Sequence, residues 1–139
     1  MSGGIMAFSL LNKIGMDQRE TALIVTAIGH HDEGTGDPVH PISAALIIAD
    51  KSDVRRSRVR EKADIAIDIH DRVNFAVTGS SLEVLAQQKL IKLSLSIDTK
   101  ICAVMEYFEI FLSRMMLCRK AAEKLGLQFK LIINEQQLI

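Results

Sequence analysis

The sequence predicts an α+β fold, a helical N-terminal region followed by a β-β-α-β unit in which one long helix covers a small sheet. Three observations predict it. Apolar residues recur at helical spacing up to residue 53, they alternate with polar ones within 82–97 and 129–133, and a long apolar run with helical spacing separates those two stretches. With 48% hydrophobic residues, a chain of 139 can bury a sizeable core without cross-links.

The first helix is expected over Ile5 to Ile14, where Ile5, Met6, Phe8, Leu10, Leu11 and Ile14 are apolar and Gly15 supplies the stop. Asp17, with Glu20 three residues later, announces a second helix whose stripe is Leu23, Ile24, Ala27 and Ile28 and which runs into His30. EGTGDPVHP, from Glu33 to Pro41, concentrates glycine, proline and aspartate and must be a loop. Pro41 suits the first position of a third helix, which extends to about Asp53 and packs through Ala44, Ala45, Ile48 and Ala49. VRRSRVREKAD has no sustained apolar face and reads as a linker, dividing the chain into a helical region, 1–60, and an α+β region, 61–139, packed together as one unit.

IHDRVNFAV reads as a short helix or turn. Strands are expected from Leu82 to Ala86 and from Lys89 to Ile97. In the second, Ile91, Leu93, Leu95 and Ile97 face one way and Leu90, Lys92, Ser94 and Ser96 the other. Asp98 is a suitable N-cap for the longest helix, Thr99 to Leu125, with the stripe Ile101, Met105, Phe108, Leu112 and Met115 and a stop at Gly126. Phe129, Leu131 and Ile133 then alternate as a returning strand.

Lys plus Arg and Asp plus Glu both number seventeen, so no global field draws the chain to nucleic acid or to an anionic membrane. A single tyrosine and no tryptophan give no stacking platform for bases. The densest apolar stretch, near Ile101 to Leu117, is interrupted by Glu106, Glu109 and Arg114 and is too polar to span a bilayer. Cys102 and Cys118 are sixteen positions apart on the expected long helix. That spacing is roughly 24 Å of rise, too far for a disulfide. Free thiols and the lack of a basic, then apolar, leader point to a cytoplasmic protein.

The chemistry concentrates in IGHHDEGTGDPVHPISAALIIADKSD, which places His30, His31, Asp32, Glu33, Asp37, His40, Asp50 and Asp53 in one helix-loop-helix stretch. Imidazole and carboxylate are the ligand types for divalent iron, manganese or similar ions, and a loop between packed helices can bring two helix ends to one point. Such an ion lowers the pKa of water and polarises a phosphate. Adjacent histidines at a helix terminus also serve as simple caps against the dipole.

A histidine pair followed by an acidic residue, a Gly- and Pro-containing loop, and a helix ending in Ala49-Asp50-Lys51-Ser52-Asp53 resembles the second half of the HD-superfamily metal-dependent phosphohydrolases. The resemblance continues through DIHDRVNFAV, MEYFEIFLSRM and FKLIIN, which are similar to the α+β tail of small clostridial-type HD-domain proteins. It implies that Asp50 matches the family's late metal-binding aspartate. It also implies that His31, with His30 as the second choice, matches the histidine pair that binds a metal or the substrate phosphate. Asp50 and His31 are thus the expected catalytic residues, and His31, Asp50 and His30 the expected ligands of a divalent manganese, iron or similar ion. The implied substrate is a phosphomonoester or nucleotide. Lys51, Arg55, Arg56 and Arg58 have the chemistry to meet phosphate oxygens, although a charge run of this kind is ordinarily a solvated face.

The family's early histidine and His-Asp dyad lie upstream of the pair, whereas the 29 residues before His30 contain no histidine. His31-Asp32 belongs to the pair itself, and His70-Asp71 follows the late aspartate. The expectation is an incomplete first metal site, since three or more protein ligands are usual. The missing donors would come from another chain, or else the protein is a non-catalytic dimerisation or ligand-binding module derived from an HD protein. Leu10, Leu11 and Ile14 need a packing partner, and the small sheet leaves edges and a face exposed, so a homodimer is expected.

Overall fold

The structure is a computed structural model and describes residues 2–32, 34–59 and 69–138. Helix α1 spans Ser2–Lys13 and α2 spans Gln18–Gly29, joined by a tight turn in which Gly15 takes φ +74°. The Asp17 side chain accepts hydrogen bonds from the Arg19 and Glu20 amides at 2.9 and 3.2 Å, fixing where α2 begins. Helix α3, Pro41–Lys51, follows the predicted loop, with Pro41 in its first turn and His40 as N-cap. A 3-10 turn covers Arg56–Arg58, α4 spans Ile69–Ala76, β1 Val77–Leu85, β2 Leu90–Ile97, α5 Val104–Lys124, β3 Gln128–Ile133 and β4 Gln136–Gln137. The stretch 60–64 of the expected linker, and with it the expected boundary after residue 60, lies outside the described residues.

The described strands form one sheet in the order β1-β2-β3-β4, in which β1 and β2 are antiparallel, β2 and β3 parallel, and β3 and β4 antiparallel. The parallel pair requires a crossover, which α5 provides. The predicted alternation holds. Ile91, Leu93, Leu95 and Ile97 of β2 and Phe129, Leu131 and Ile133 of β3 are buried in one core with Tyr107, Phe111, Met115 and Cys118 of α5. The same core includes Ala44, Ile47 and Ile48 of α3, and Val54 just beyond it. Asn134 and Glu135 take φ +49° and +69° in the β3–β4 turn, a conformation that asparagine tolerates better than most residues. The Asn134 amide also clasps β2, its Oδ1 accepting from the Ile97 N–H at 2.7 Å and its Nδ2 donating to the Ile97 carbonyl at 3.0 Å.

Several expected boundaries and faces differ. Helix α5 begins at Val104 rather than Thr99, because Asp98 caps a turn instead. Its side chain takes the Lys100 amide, and its carbonyl takes those of Ile101 and Cys102. The helix start is secured by Glu106, which accepts from the Ala103 N–H at 2.9 Å and pairs with Arg72 at 2.6 Å. The buried stripe of α5 is Tyr107, Phe111, Met115, Cys118 and Ala122, while Met105 and Leu112 of the expected stripe are 75% and 47% exposed. The helix carries apolar residues on more than one face, and the face bearing Tyr107 and Phe111 takes the core. In α3 the buried residues are Ser43, Ala44, Ile47, Ile48 and Lys51, so Ala45 and Ala49 face outward. Strand β1 starts at Val77, five residues before the expected Leu82.

Helix α1 packs on α2 through its glycine-rich start, where Gly4 is buried against Val25. Its apolar side chains remain outside: Ile5, Met6, Phe8, Leu10 and Ile14 are all more than half exposed. Of the three residues expected to need a partner, Leu10 and Ile14 lack one among the described residues, and Leu11 is half-buried.

Candidate functional site

The two histidines at the end of α2 are set by that helix's last turn. His30 Nδ1 donates to the Thr26 carbonyl at 2.9 Å, and His31 Nδ1 donates to the Ile28 carbonyl at 2.6 Å. A carbonyl oxygen can only accept, so Nδ1 carries the hydrogen in both rings and Nε2 holds the lone pair of the neutral form. Donation of one ring N–H to a backbone carbonyl is how metal-ligating histidines are commonly oriented. His40 has the opposite arrangement. Its Nδ1 accepts from the Ile42 amide at 3.3 Å as the α3 N-cap, which occupies the lone pair and assigns this ring to structure.

The loop that follows His31 is drawn onto α5. A side-chain carbon at Gly36 would collide with the Asp32 carbonyl oxygen and lie 2.7 Å from Leu117 Cδ2, so only glycine permits this approach. Asp37 N–H then donates to the His30 carbonyl at 3.1 Å, closing the loop back on the end of α2. Helix α3 leaves the loop and packs along α5, bringing Asp50 and Lys51 of its last turn to the same region.

Asp50 Oδ2 lies 2.7 Å from Lys51 Nζ, with the lysine side chain 4% and the aspartate side chain 42% exposed. Partial burial pushes the Asp50 carboxyl up. The hydrogen bond and charge of Lys51, with smaller contributions from His31 and Arg114, outweigh this and hold it below its ordinary value. Asp50 is therefore ionised at neutral pH, and His31, Lys51 and Arg114 share its electrostatic neighbourhood. Cys118 sits in the same field. Burial pushes its thiol up to about 12, against the lowering influence of Lys51 and Arg114. Burial also raises the Tyr107 hydroxyl, which has no hydrogen-bond partner among the described residues.

Of the two principal predicted site residues, His31 acts on Asp50 only as one of the smaller influences that lower its carboxyl. His30 precedes His31 in the chain, its Nδ1 tied to the Thr26 carbonyl. Two other groups of the stretch are deployed elsewhere: Asp53 binds Arg55 and Arg58, and His40 caps α3. Among the described residues, no group of three or more His, Cys, Asp or Glu side chains is placed to hold a metal ion. Glu33, part of the predicted constellation, lies outside the described residues. Sequence reading did not anticipate Arg114, Cys118 and Tyr107 here. They arrive on α5 from more than 50 residues away, and no local pattern marks them.

No family model, no curated protein and no solved structure matches this chain. No helix among the described residues is long and apolar enough to cross a membrane.

Proposed function

We propose that this chain carries the second half of an HD-type phosphohydrolase site, acting in the cytoplasm on a phosphomonoester or nucleotide. The observation that carries the reading is that His31, just past the end of α2, contributes to the field that lowers the Asp50 carboxyl in the last turn of α3, while the His31 Nδ1 is tied to the Ile28 carbonyl. In kind, these donors fit a divalent manganese or iron ion. In number they fall short, since no group of three such side chains, His30 included, is placed to hold an ion among the described residues. Such an ion, when bound, polarises a phosphoryl group and acidifies water.

The chain's own contribution is to orient and charge the site. The Ile28 carbonyl holds the His31 ring in one tautomer, and the buried Lys51 ammonium keeps Asp50 ionised. Arg114 adds a smaller positive contribution to the field at the same carboxylate. The remaining donors come from a second copy or another chain. The exposed apolar side of α1 supports a homodimer, and the neutral overall charge favours a small phosphorylated ligand over nucleic acid.

A second reading is favoured by the Asp50–Lys51 pair. An ammonium on the carboxylate competes with a cation, as expected of a non-catalytic module that binds phosphorylated ligands or dimerises. Metal analysis of the purified protein, with hydrolysis of a generic phosphomonoester in added manganese, separates the two. The first reading expects bound metal and turnover that Asp50→Ala abolishes. Metal-free protein without Asp50-dependent turnover leaves the second.

A further inference from the structure

A different part of the surface has the construction of an anion receptor. Beyond α3, the 3-10 turn at Arg56–Arg58 lies against the start of β1, and between them is a cleft of about 250 Å³ walled by Arg55, Arg56, Ser57, Thr78, Gly79 and Ser80. Both arginines of this wall are anchored through the same atom. Arg55 Nε lies 2.8 Å from Asp53 Oδ1, and Arg56 Nε donates to the Phe75 carbonyl at 2.6 Å. The Arg56 guanidinium also lies over the Phe75 ring, 4.5 Å from its centroid. Anchoring at Nε leaves the terminal Nη donors of each guanidinium uncommitted among the described residues, in a planar fork that matches phosphate oxygens. Arg58, by contrast, spends an Nη on the Asp53 carboxylate and carbonyl.

The charges are unbalanced in the same direction. Residues 53–58 contain three arginines and one aspartate, a net +2. Asp53 is shared between Arg55 and Arg58, so Arg56 has no carboxylate partner among the described residues. Ordering adjacent like charges is unfavourable until an anion joins them. The hydroxyls of Ser57 and Ser80 add neutral donors at the rim, and Gly79 contributes no side chain to narrow the cleft.

We infer that the cleft between Arg55–Ser57 and Thr78–Ser80 binds a phosphate group, free or as a monoester, with Arg56 as the principal contact. This site uses none of the residues of the His31–Asp50 neighbourhood and stands whether or not that neighbourhood holds a metal.

Amide ¹H–¹⁵N spectra of the full chain, recorded during titration with inorganic phosphate or phenyl phosphate at constant ionic strength, test the assignment. Saturable shifts at residues 55–57 and 77–80 are expected, and comparing the two probes separates a free anion from a monoester. Arg56→Ala and Arg56→Lys should each weaken binding at least tenfold, the lysine failing because an ammonium cannot present the fork. Arg119→Ala, which removes an equal charge from α5, should leave binding unchanged. Ser80→Glu puts a carboxylate in the cleft without touching the Arg56 anchors and should abolish binding, so the test survives if the Arg56 variants do not fold. Unsaturable shifts, undiminished binding in Arg56→Lys or Ser80→Glu, or shifts centred on His31, Lys51 and Arg114 would overturn the assignment.

Discussion

Replacing Asn134 by alanine removes three things at once, and a short series of substitutions separates them. The Asn134 side chain makes two hydrogen bonds to the backbone of Ile97, a residue 5% exposed at the end of β2. Losing both partners costs about 1 kcal/mol each, because the Ile97 N–H and C=O are part-buried and can only partly recruit water. Alanine at φ +49° adds about 1 kcal/mol of backbone strain that asparagine largely avoids. The expected total for Asn134→Ala is about 3 kcal/mol, or a Tm lower by roughly 6–12 °C for a domain of this size. Asn134→Gly accepts the backbone conformation and should lose only about 2 kcal/mol, the hydrogen-bond share. Asn134→Asp retains an acceptor for the Ile97 N–H but sets a carboxylate oxygen against the Ile97 carbonyl, and should lose more than the about 1 kcal/mol of one hydrogen bond. Urea unfolding followed by far-UV circular dichroism gives each value as a shift in midpoint at unchanged slope. Wild-type stability in Asn134→Gly would refute the reasoning, since the clasp would then contribute nothing.

Gly36→Ala should destabilise by about 1–3 kcal/mol, and adding Leu117→Ala should not restore stability, because the Asp32 carbonyl is the unyielding contact; full rescue in urea melts would contradict that. The depressed Asp50 pKa contributes stability that is present above the unfolded value near 3.8 and is lost as pH falls through the lower folded value. The stability difference between wild type and Asp50→Asn, measured by urea unfolding from pH 7 to pH 2, should therefore be level above about pH 5 and shrink below pH 3.8; a difference that grows on acidification would reverse the assigned direction. Cys102 and Cys118 are buried, and burial leads the causes that push their thiols up to about 11 and about 12, so neither should react with a disulfide reagent in the native protein at pH 8 and both should react in urea. Rapid native-state labelling at Cys118 would place that side chain outside the core.

What could be read from the sequence was what is decided locally. The Asp17 cap, Pro41 at the start of α3, and the Gly15 and Gly126 stops each depend on a few neighbouring residues, and all are found where expected. The β2 alternation was legible because one sheet face is buried and the other is not. Strand β1 hid its first half for the opposite reason. Thr78, Ser80 and Ser81 lie on a sheet edge largely open to water, and no apolar period is imposed there. The faces of α3 and α5 were misjudged because each carries apolar residues beyond its buried stripe, and only the tertiary partner decides which are covered. His31 and Asp50 could be considered together from sequence because one short loop and one helix separate them, and His31 does contribute to the field at Asp50. Arg114 and Cys118 could not, because α5 reaches them through the sheet's crossover rather than through neighbouring positions.

The tautomer lock on the histidine pair turns the end of α2 into a ruler. His31 reaches back three residues to Ile28, and His30 reaches back four to Thr26. A helix advances about 100° per residue, so one residue inserted between Ile28 and His30, where the two spans overlap, would swing both imidazoles off their carbonyls and aim Nε2 elsewhere. Length changes at the tip of the loop, near the exposed Gly34 and Thr35, leave that measure intact. The molecule can thus vary the contour of the loop while holding two nitrogen atoms at a set bearing.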